Sequence, residues 1–149
     1  MFMGEYVHNI DRKGRLIMPA KFRSELGDQI FITRGLDGCL NVYPLEEWTR
    51  LFLQYSTLPL TNADARIFLR IFMAKACEVE PDAQGRILIP ASLVKEVGLD
   101  KECLIIGVAN HLEIWPKKKW DSLQDEMLQS YEKVAQNIGT LLQGKDPNG

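Results

Sequence analysis

Arg15 and Arg86 carry the first chemical signal in this sequence. Each follows a turn glycine in the same frame, Asp11-Arg-Lys-Gly-Arg15 and Asp82-Ala-Gln-Gly-Arg86. The other repeated residues have sufficient structural roles. Asp11 and Asp82 bond a turn backbone, Gly14 and Gly85 supply positive φ, and Pro19 and Pro90 open a helix. Arginine is not needed for any of these, because any strand-former fills its position. Its ordinary role is a local ion pair, Asp11 with Arg15 and Asp82 with Arg86, that pins a hairpin. The functional alternative is contact with phosphate oxygens or a guanine edge, which a planar guanidinium fork matches. Lys13 at the first tip is a point charge suited to phosphate, and Gln84 is its uncharged, hydrogen-bonding counterpart. Arginine in both copies, beside further basic residues in the first, favours contact. For Arg12, Lys21 and Arg23 a solvated surface is the simpler reading, with Arg12 kept as a candidate contact.

Catalytic chemistry finds no foothold. The chain has no G-x-S-x-G, no Walker A and no H-E-x-x-H. Nothing pairs a nucleophile with a base at local spacing, so no catalytic residue is assigned. Cys39, Cys77 and Cys103 are odd in number and form no C-x-x-C pair, which argues against a disulfide framework and a zinc site. They read as buried small hydrophobes. With only His8 and His111 beside them, no metal and no cofactor are expected. Gly35-Leu-Asp-Gly38 is a hairpin signal, and Lys117-Lys-Lys119 reads as a solvated helix start after Pro116.

The motifs belong to a duplication. Residues 11–27 align with 82–98, with identities at Asp11/Asp82, Gly14/Gly85, Arg15/Arg86, Pro19/Pro90, Ala20/Ala91, Glu25/Glu96 and Gly27/Gly98. Average composition would supply about one such match. One residue further along the frame, Leu40–Pro44 aligns with Leu112–Pro116, and Trp48 and Leu51 with Trp120 and Leu123. Each unit therefore reads alike. A strand (Glu5–Ile10; Cys77–Glu80) enters the Asp-x-x-Gly turn and leaves as an apolar strand. A short helix follows, with proline at its first position and glycine closing it. Two strands come next, Phe31–Arg34 with Leu40–Tyr43, and Leu104–Val108 with Leu112–Trp115. A helix closes the unit, with Trp48, Leu51, Phe52 and Tyr55 on one face.

Between the units, Thr61-Asn-Ala-Asp64 reads as a capping box before a helix through Lys75 with Phe68, Leu69 and Phe72 on one face. The last helix carries Trp120, Leu123, Met127, Tyr131, Val134, Ile138 and Leu141 at spacings of three and four, about twenty residues stopping near Gly144. Strands this short close two separate cores poorly, whereas two units interleaved about a pseudo-two-fold axis make one barrel with one core. The expected organisation is a first repeat at 1–60, a connecting helix at 61–75, a second repeat at 76–143 within the same compact domain, and a frayed tail at 144–149.

Composition agrees with an ordinary globular chain: 149 residues, 46% hydrophobic and 26% charged. No apolar run is long enough to span a membrane, and the opening residues lack a basic segment followed by an apolar core, so an intracellular protein is expected. The net charge of −2 speaks mildly against nucleic acid. Its distribution does not. From Arg12 to Arg23 five basic residues stand with no acid among them, and acids gather toward the C-terminus.

With the paired Asp-x-x-Gly-Arg motifs, the opening Met1-Phe-Met-Gly4, Pro19-Ala-Lys-Phe-Arg23, Arg34-Gly-Leu-Asp37 and the Tyr-Pro and Trp-Pro pairs, the chain resembles the bacterial MraZ family over residues 1–143. These are transcriptional regulators of the AbrB/SpoVT-like swapped-hairpin class. The resemblance implies an α+β fold, a tandem duplicated swapped-hairpin β-barrel, related to the double-psi barrel, with peripheral helices. It implies sequence-specific binding of double-stranded DNA at repeated short boxes upstream of the division and cell-wall gene cluster. It further implies a ring-shaped homo-oligomer, a cytoplasmic, nucleoid-associated location, no enzymatic activity, no membrane and no small-molecule substrate. Carried over by position, Lys13 and Arg15 belong to the first DNA-contacting hairpin and Gln84 and Arg86 to the second, on a scaffold of Asp11, Gly14, Asp82 and Gly85. The alternative within the same fold class is an antitoxin-like protein-interaction module.

Overall fold

In the computed structural model, which describes residues 1–143, both repeats follow one element order. The tail at 144–149 lies outside the described residues. The first repeat runs β1 (Glu5–Asn9), β2 (Arg15–Ile17), α1 (Ala20–Leu26), β3 (Ile30–Arg34), β4 (Leu40–Pro44) and α2 (Leu45–Tyr55). After α3 (Ala63–Ala74) come β5 (Cys77–Val79), β6 (Arg86–Leu88), α4 (Ala91–Val97), β7 (Glu102–Val108), β8 (His111–Pro116) and α5 (Lys117–Gln143). Two compact units result, one through Lys117 and one from Lys118 onward.

The mixed α and β composition and the antiparallel pairing follow the expectation, and the pairing crosses between repeats. Strand β1 lies against β7 of the second repeat, and β5 lies against β3 of the first. The central joint is β4 with β8. The six-stranded order is β1-β7-β8-β4-β3-β5, with β2 and β6 forming a separate two-stranded ribbon. That order has two ends, so the hydrogen bonding is not that of a closed barrel. The cause is local: after the Asp-x-x-Gly turn the chain diverges from β1 (or β5), and the short strand that follows pairs only with its counterpart.

Burial explains why such short strands persist. Leu16 and Ile87 sit opposite each other at the centre of the ribbon with no exposed surface. Matched residues from the two repeats continue the core inward, with Met18 and Ile89, Phe22 and Leu93, Leu26 and Val97. Each such side chain contributes about 1.5–3 kcal/mol of transfer free energy. Phe2 and Tyr6 meet Phe22 edge-on, with centroids 5.7 and 5.3 Å away. A second cluster lies beneath α2 and α3. There Trp48 stacks on Phe31 at 5.2 Å and on Phe72 at 5.4 Å. The buried Thr33 hydroxyl donates to the Phe72 carbonyl at 2.7 Å, which holds α3 to β3.

Helix ends differ from expectation by one position. Pro19 and Pro90 are caps with extended ψ (136° and 140°) rather than first helical residues, because the chain must still leave the ribbon there. Asn62, not Thr61, caps α3, its side-chain oxygen accepting from the Ala65 N–H at 3.0 Å. Helix α5 is 27 residues, longer than the apolar spacing alone marks out, since Lys117–Lys119 form its first turn; none of its described residues is buried. Among the described residues no helix is long and apolar enough to cross a membrane.

The two turn glycines face different obstacles. A methyl at Gly14 (φ +87°) would stand 2.7 Å from the Ile89 carbonyl oxygen, backbone that is itself fixed because the Ile89 N–H donates to the Gly14 carbonyl at 2.8 Å. A methyl at Gly85 (φ +77°) would meet the end of the Arg23 side chain, which can swing aside. Gly85→Ala should therefore cost about 1–2 kcal/mol for the backbone conformation. Gly14→Ala should cost about 1–3 kcal/mol more. Denaturant unfolding of the two variants checks this; equal losses would contradict it.

Candidate nucleic-acid interface

The two motifs build the same turn twice. The Asp11 carbonyl accepts from the Gly14 N–H at 3.0 Å, and the Asp11 N–H donates to the Arg15 carbonyl at 3.0 Å. One oxygen of the Asp11 carboxylate accepts from the N–H groups of Lys13 and Arg15, both at 2.9 Å. The other accepts from Arg15 Nε at 2.7 Å. Asp82 repeats each bond with Gln84 N–H, Arg86 N–H and Arg86 Nε, the last at 2.8 Å. One carboxylate thus closes the turn and holds the arginine.

The local ion pair weighed from sequence is therefore present in both copies. It engages only Nε. The terminal nitrogens of Arg15 and Arg86 make no hydrogen bond to the described residues, and the two side chains keep 35% and 27% of their surface exposed. Held by its inner nitrogen, each guanidinium presents its outer fork to solvent. Arg12, Lys13 and Gln84 are exposed on the turns.

Ribbon register brings the motifs into one place. Arg15 lies opposite Leu88, Leu16 opposite Ile87, and Ile17 opposite Arg86. Because side chains alternate, Leu16 and Ile87 face the core while Arg15, Ile17, Arg86 and Leu88 share the outer face. The arginines occupy one diagonal of that face, a separation of about 7–8 Å. The Met18 N–H to Gly85 carbonyl bond (3.0 Å) and its mirror from Ile89 to Gly14 tie each turn to the opposite strand.

Arg23, assigned from sequence to the solvated surface, is part of this geometry. Its Nε donates to the Met18 carbonyl at 2.8 Å, and its guanidinium lies over Gly85. The first repeat's helix therefore places a cation beside the second turn, which carries only Ala83 and Gln84 where the first has Arg12 and Lys13. The sequence held one trace of this: the counterpart of Arg23 is Val94, so the first helix carries a cation at a position where the second carries an aliphatic. Elsewhere, Glu96 pairs with both Arg34 and Lys75, joining α4 to β3 and to the end of α3.

No group of three or more potential metal ligands occurs among the described residues. Cys39 and Cys103 are buried and Cys77 is half-buried, a departure from three buried thiols. Burial pushes the Cys103 thiol up to about 11, far from a reactive thiolate.

Charge at the turns has a measurable signature. The Arg15 N–H, with the Arg15 guanidinium and the Lys13 N–H adding to it, outweighs desolvation and holds the Asp11 carboxyl below the ordinary aspartate range. Asp82 is lowered in the same way by Arg86 and Gln84. A depressed folded-state value means that this stabilisation is complete above the unfolded value and disappears as pH falls through the folded one. Carboxyl NMR titration should give midpoints below that of an unperturbed aspartate for both, with order at the turns lost as pH falls through those midpoints. Ordinary midpoints, or turns that persist unchanged with both carboxyls protonated, would refute the carboxylate's role.

Similarity to known proteins identifies the chain's family. A family profile described as "MraZ protein, putative antitoxin-like" matches twice, over residues 1–71 and 72–140. A protein named Transcriptional regulator MraZ from Halothermothrix orenii is 53% identical over 91% of this chain and 94% of its own length. Proteins of the same name from Desulforamulus reducens and Limosilactobacillus fermentum are 51% and 52% identical, each over 95% of this chain and 100% and 99% of their own lengths. By both the doubled profile and these relatives, the chain belongs to the MraZ family.

Proposed function

We propose that this protein is a sequence-specific DNA-binding transcriptional regulator without enzymatic activity. The relatives carry the name of transcriptional regulators. The observation that carries the DNA reading is the ribbon's outer face, where two arginines from two repeats are each buttressed through Nε and offer their outer fork. A two-stranded ribbon fits the major groove, and a guanidinium fork fits guanine O6 and N7. Lys13, Arg15, Gln84 and Arg86 are the contact residues in this account, on the scaffold of Asp11, Gly14, Asp82 and Gly85, with Arg12 and Arg23 supplying positive charge nearby.

The cross-repeat strand exchange supports assigning the fold to the swapped-hairpin class of AbrB/SpoVT-like domains. It also supports repeats at 1–60 and 76–143 joined by 61–75. Location in the cytoplasm on the nucleoid, and targets that are repeated short boxes upstream of the division and cell-wall cluster, complete the proposal. An antitoxin-like interaction module is the second reading, favoured by the exposed apolar stripe of α5, including Leu128, Tyr131, Leu141 and Leu142. Retained DNA binding after deletion of residues 118–149 would favour the first reading over the second, because a partner-capturing module needs that helix.

Arg15→Ala and Arg86→Ala should each weaken specific binding by about 1–3 kcal/mol per engaged site. Unfolding should change little, because Asp11 and Asp82 keep their backbone bonds. Lys13→Ala should instead weaken binding uniformly and reduce the salt slope by about 0.9 per subunit. Mobility shifts on the DNA immediately upstream of the encoding gene check all three; unaltered affinity in both arginine variants would overturn the assignment.

An acidic chain with so small a basic face gains affinity by repetition, and exposed Ile67 and Ile71 on α3 offer apolar surface for subunit contact. A ring of identical subunits follows if head-to-tail contacts close. Light scattering should give a discrete species several times 17.0 kDa, and DNA with several boxes should bind about 100-fold or more tighter than DNA with one. A monomer that binds one box as tightly as three would contradict it.

A further inference from the structure

The outer face of the β2–β6 ribbon has two corners that the arginines do not fill. Ile17 and Leu88 occupy them, 39% and 54% exposed, while Leu16 and Ile87 on the reverse face are fully buried. They are equivalent residues of the two repeats. Each stands directly across the ladder from an arginine, Leu88 from Arg15 and Ile17 from Arg86, at about 4.5–5.5 Å between Cβ atoms. A scattered exposed aliphatic needs no explanation. Two of them placed symmetrically within a cationic four-residue face require an apolar element in whatever that face meets.

Base edges in the major groove offer one apolar group, the C5-methyl of thymine. We infer that Ile17 and Leu88 are specificity residues that read thymine methyls next to the guanines engaged by Arg86 and Arg15. This rests on the proposed docking of the ribbon in the major groove and adds a base preference to it. The arginines supply charge complementarity and fix the face on the DNA. Each aliphatic chain then excludes water from one methyl, and cytosine in the same place offers only a C5 hydrogen there, leaving the apolar contact unmade.

The test uses the full-length protein. Duplexes are selected from a random-sequence library and the winners resynthesised with deoxyuridine in place of thymine, which removes the methyl and leaves the pairing. The intact protein should bind the deoxyuridine duplex about 4-fold more weakly per contacted methyl. Ile17→Ala and Leu88→Ala should each remove part of that difference. The double variant should bind both duplexes equally, while retaining its guanine requirement and salt dependence. Equal binding of the two duplexes by the intact protein would overturn the inference, as would selected sequences lacking thymine beside guanine or a preference that survives in the double variant. A double variant that changes molecular mass in light scattering but keeps the thymine preference would instead place these residues against a second copy. Failure to enrich any duplex would overturn the DNA reading itself, and the inference with it.

Discussion

Strands of three residues do not persist alone in water, and β2 and β6 are both three residues long. They hold because the residue at the centre of each is driven into the core: Leu16 meets Ile87, and neither retains exposed surface. Reciprocal backbone bonds from Met18 to Gly85 and from Ile89 to Gly14 extend the pairing into the turns. Everything at the interface depends on this joint. It puts the core side chains of both repeats on one side and both arginines on the other, and it makes two distant motifs a single surface.

Within that surface, ion pairing and external contact are not competing roles for Arg15 and Arg86. An exposed arginine chain has many rotamers, and ordering it on a ligand costs entropy. The aspartate has already restricted it, at the Nε end, without occupying the nitrogens that would meet a base. Exposed ion pairs add little to stability, so the buttress is better understood as pre-organisation. Its cost is a negative charge near DNA phosphates, which Lys13 offsets at the first turn and Arg23 at the second. The two copies reach a similar electrostatic setting by different routes.

Much of this was legible in the residues. Self-similarity located both motifs, the turn chemistry assigned Asp11, Asp82, Gly14 and Gly85, and periodicity placed the helices. Partner choice was not legible, because the short alternating strands of the two repeats are chemically alike; nothing local says that β1 goes to β7 and β5 to β3. The open ends of the six-stranded order are hidden in the sequence for the same reason. Arg23 was missed because its target is carbonyl oxygen and turn backbone that come near only in three dimensions. The caps at Pro19, Pro90 and Asn62 shifted by one because side-chain type marks a helix start less sharply than backbone direction does.

The central claim is that the two motifs form one reading surface rather than two independent tips. Guanine N7 methylation interference on a bound duplex, compared between the intact protein and its Arg15→Ala and Arg86→Ala variants, tests it most directly. A diagonal of about 7–8 Å between the arginines spans roughly two base steps at 3.4 Å each. Each variant should therefore lose sensitivity at a different guanine of the same box, with the two positions about two steps apart. Losses that fall in separate boxes, or interference patterns identical to that of the intact protein, would contradict the account.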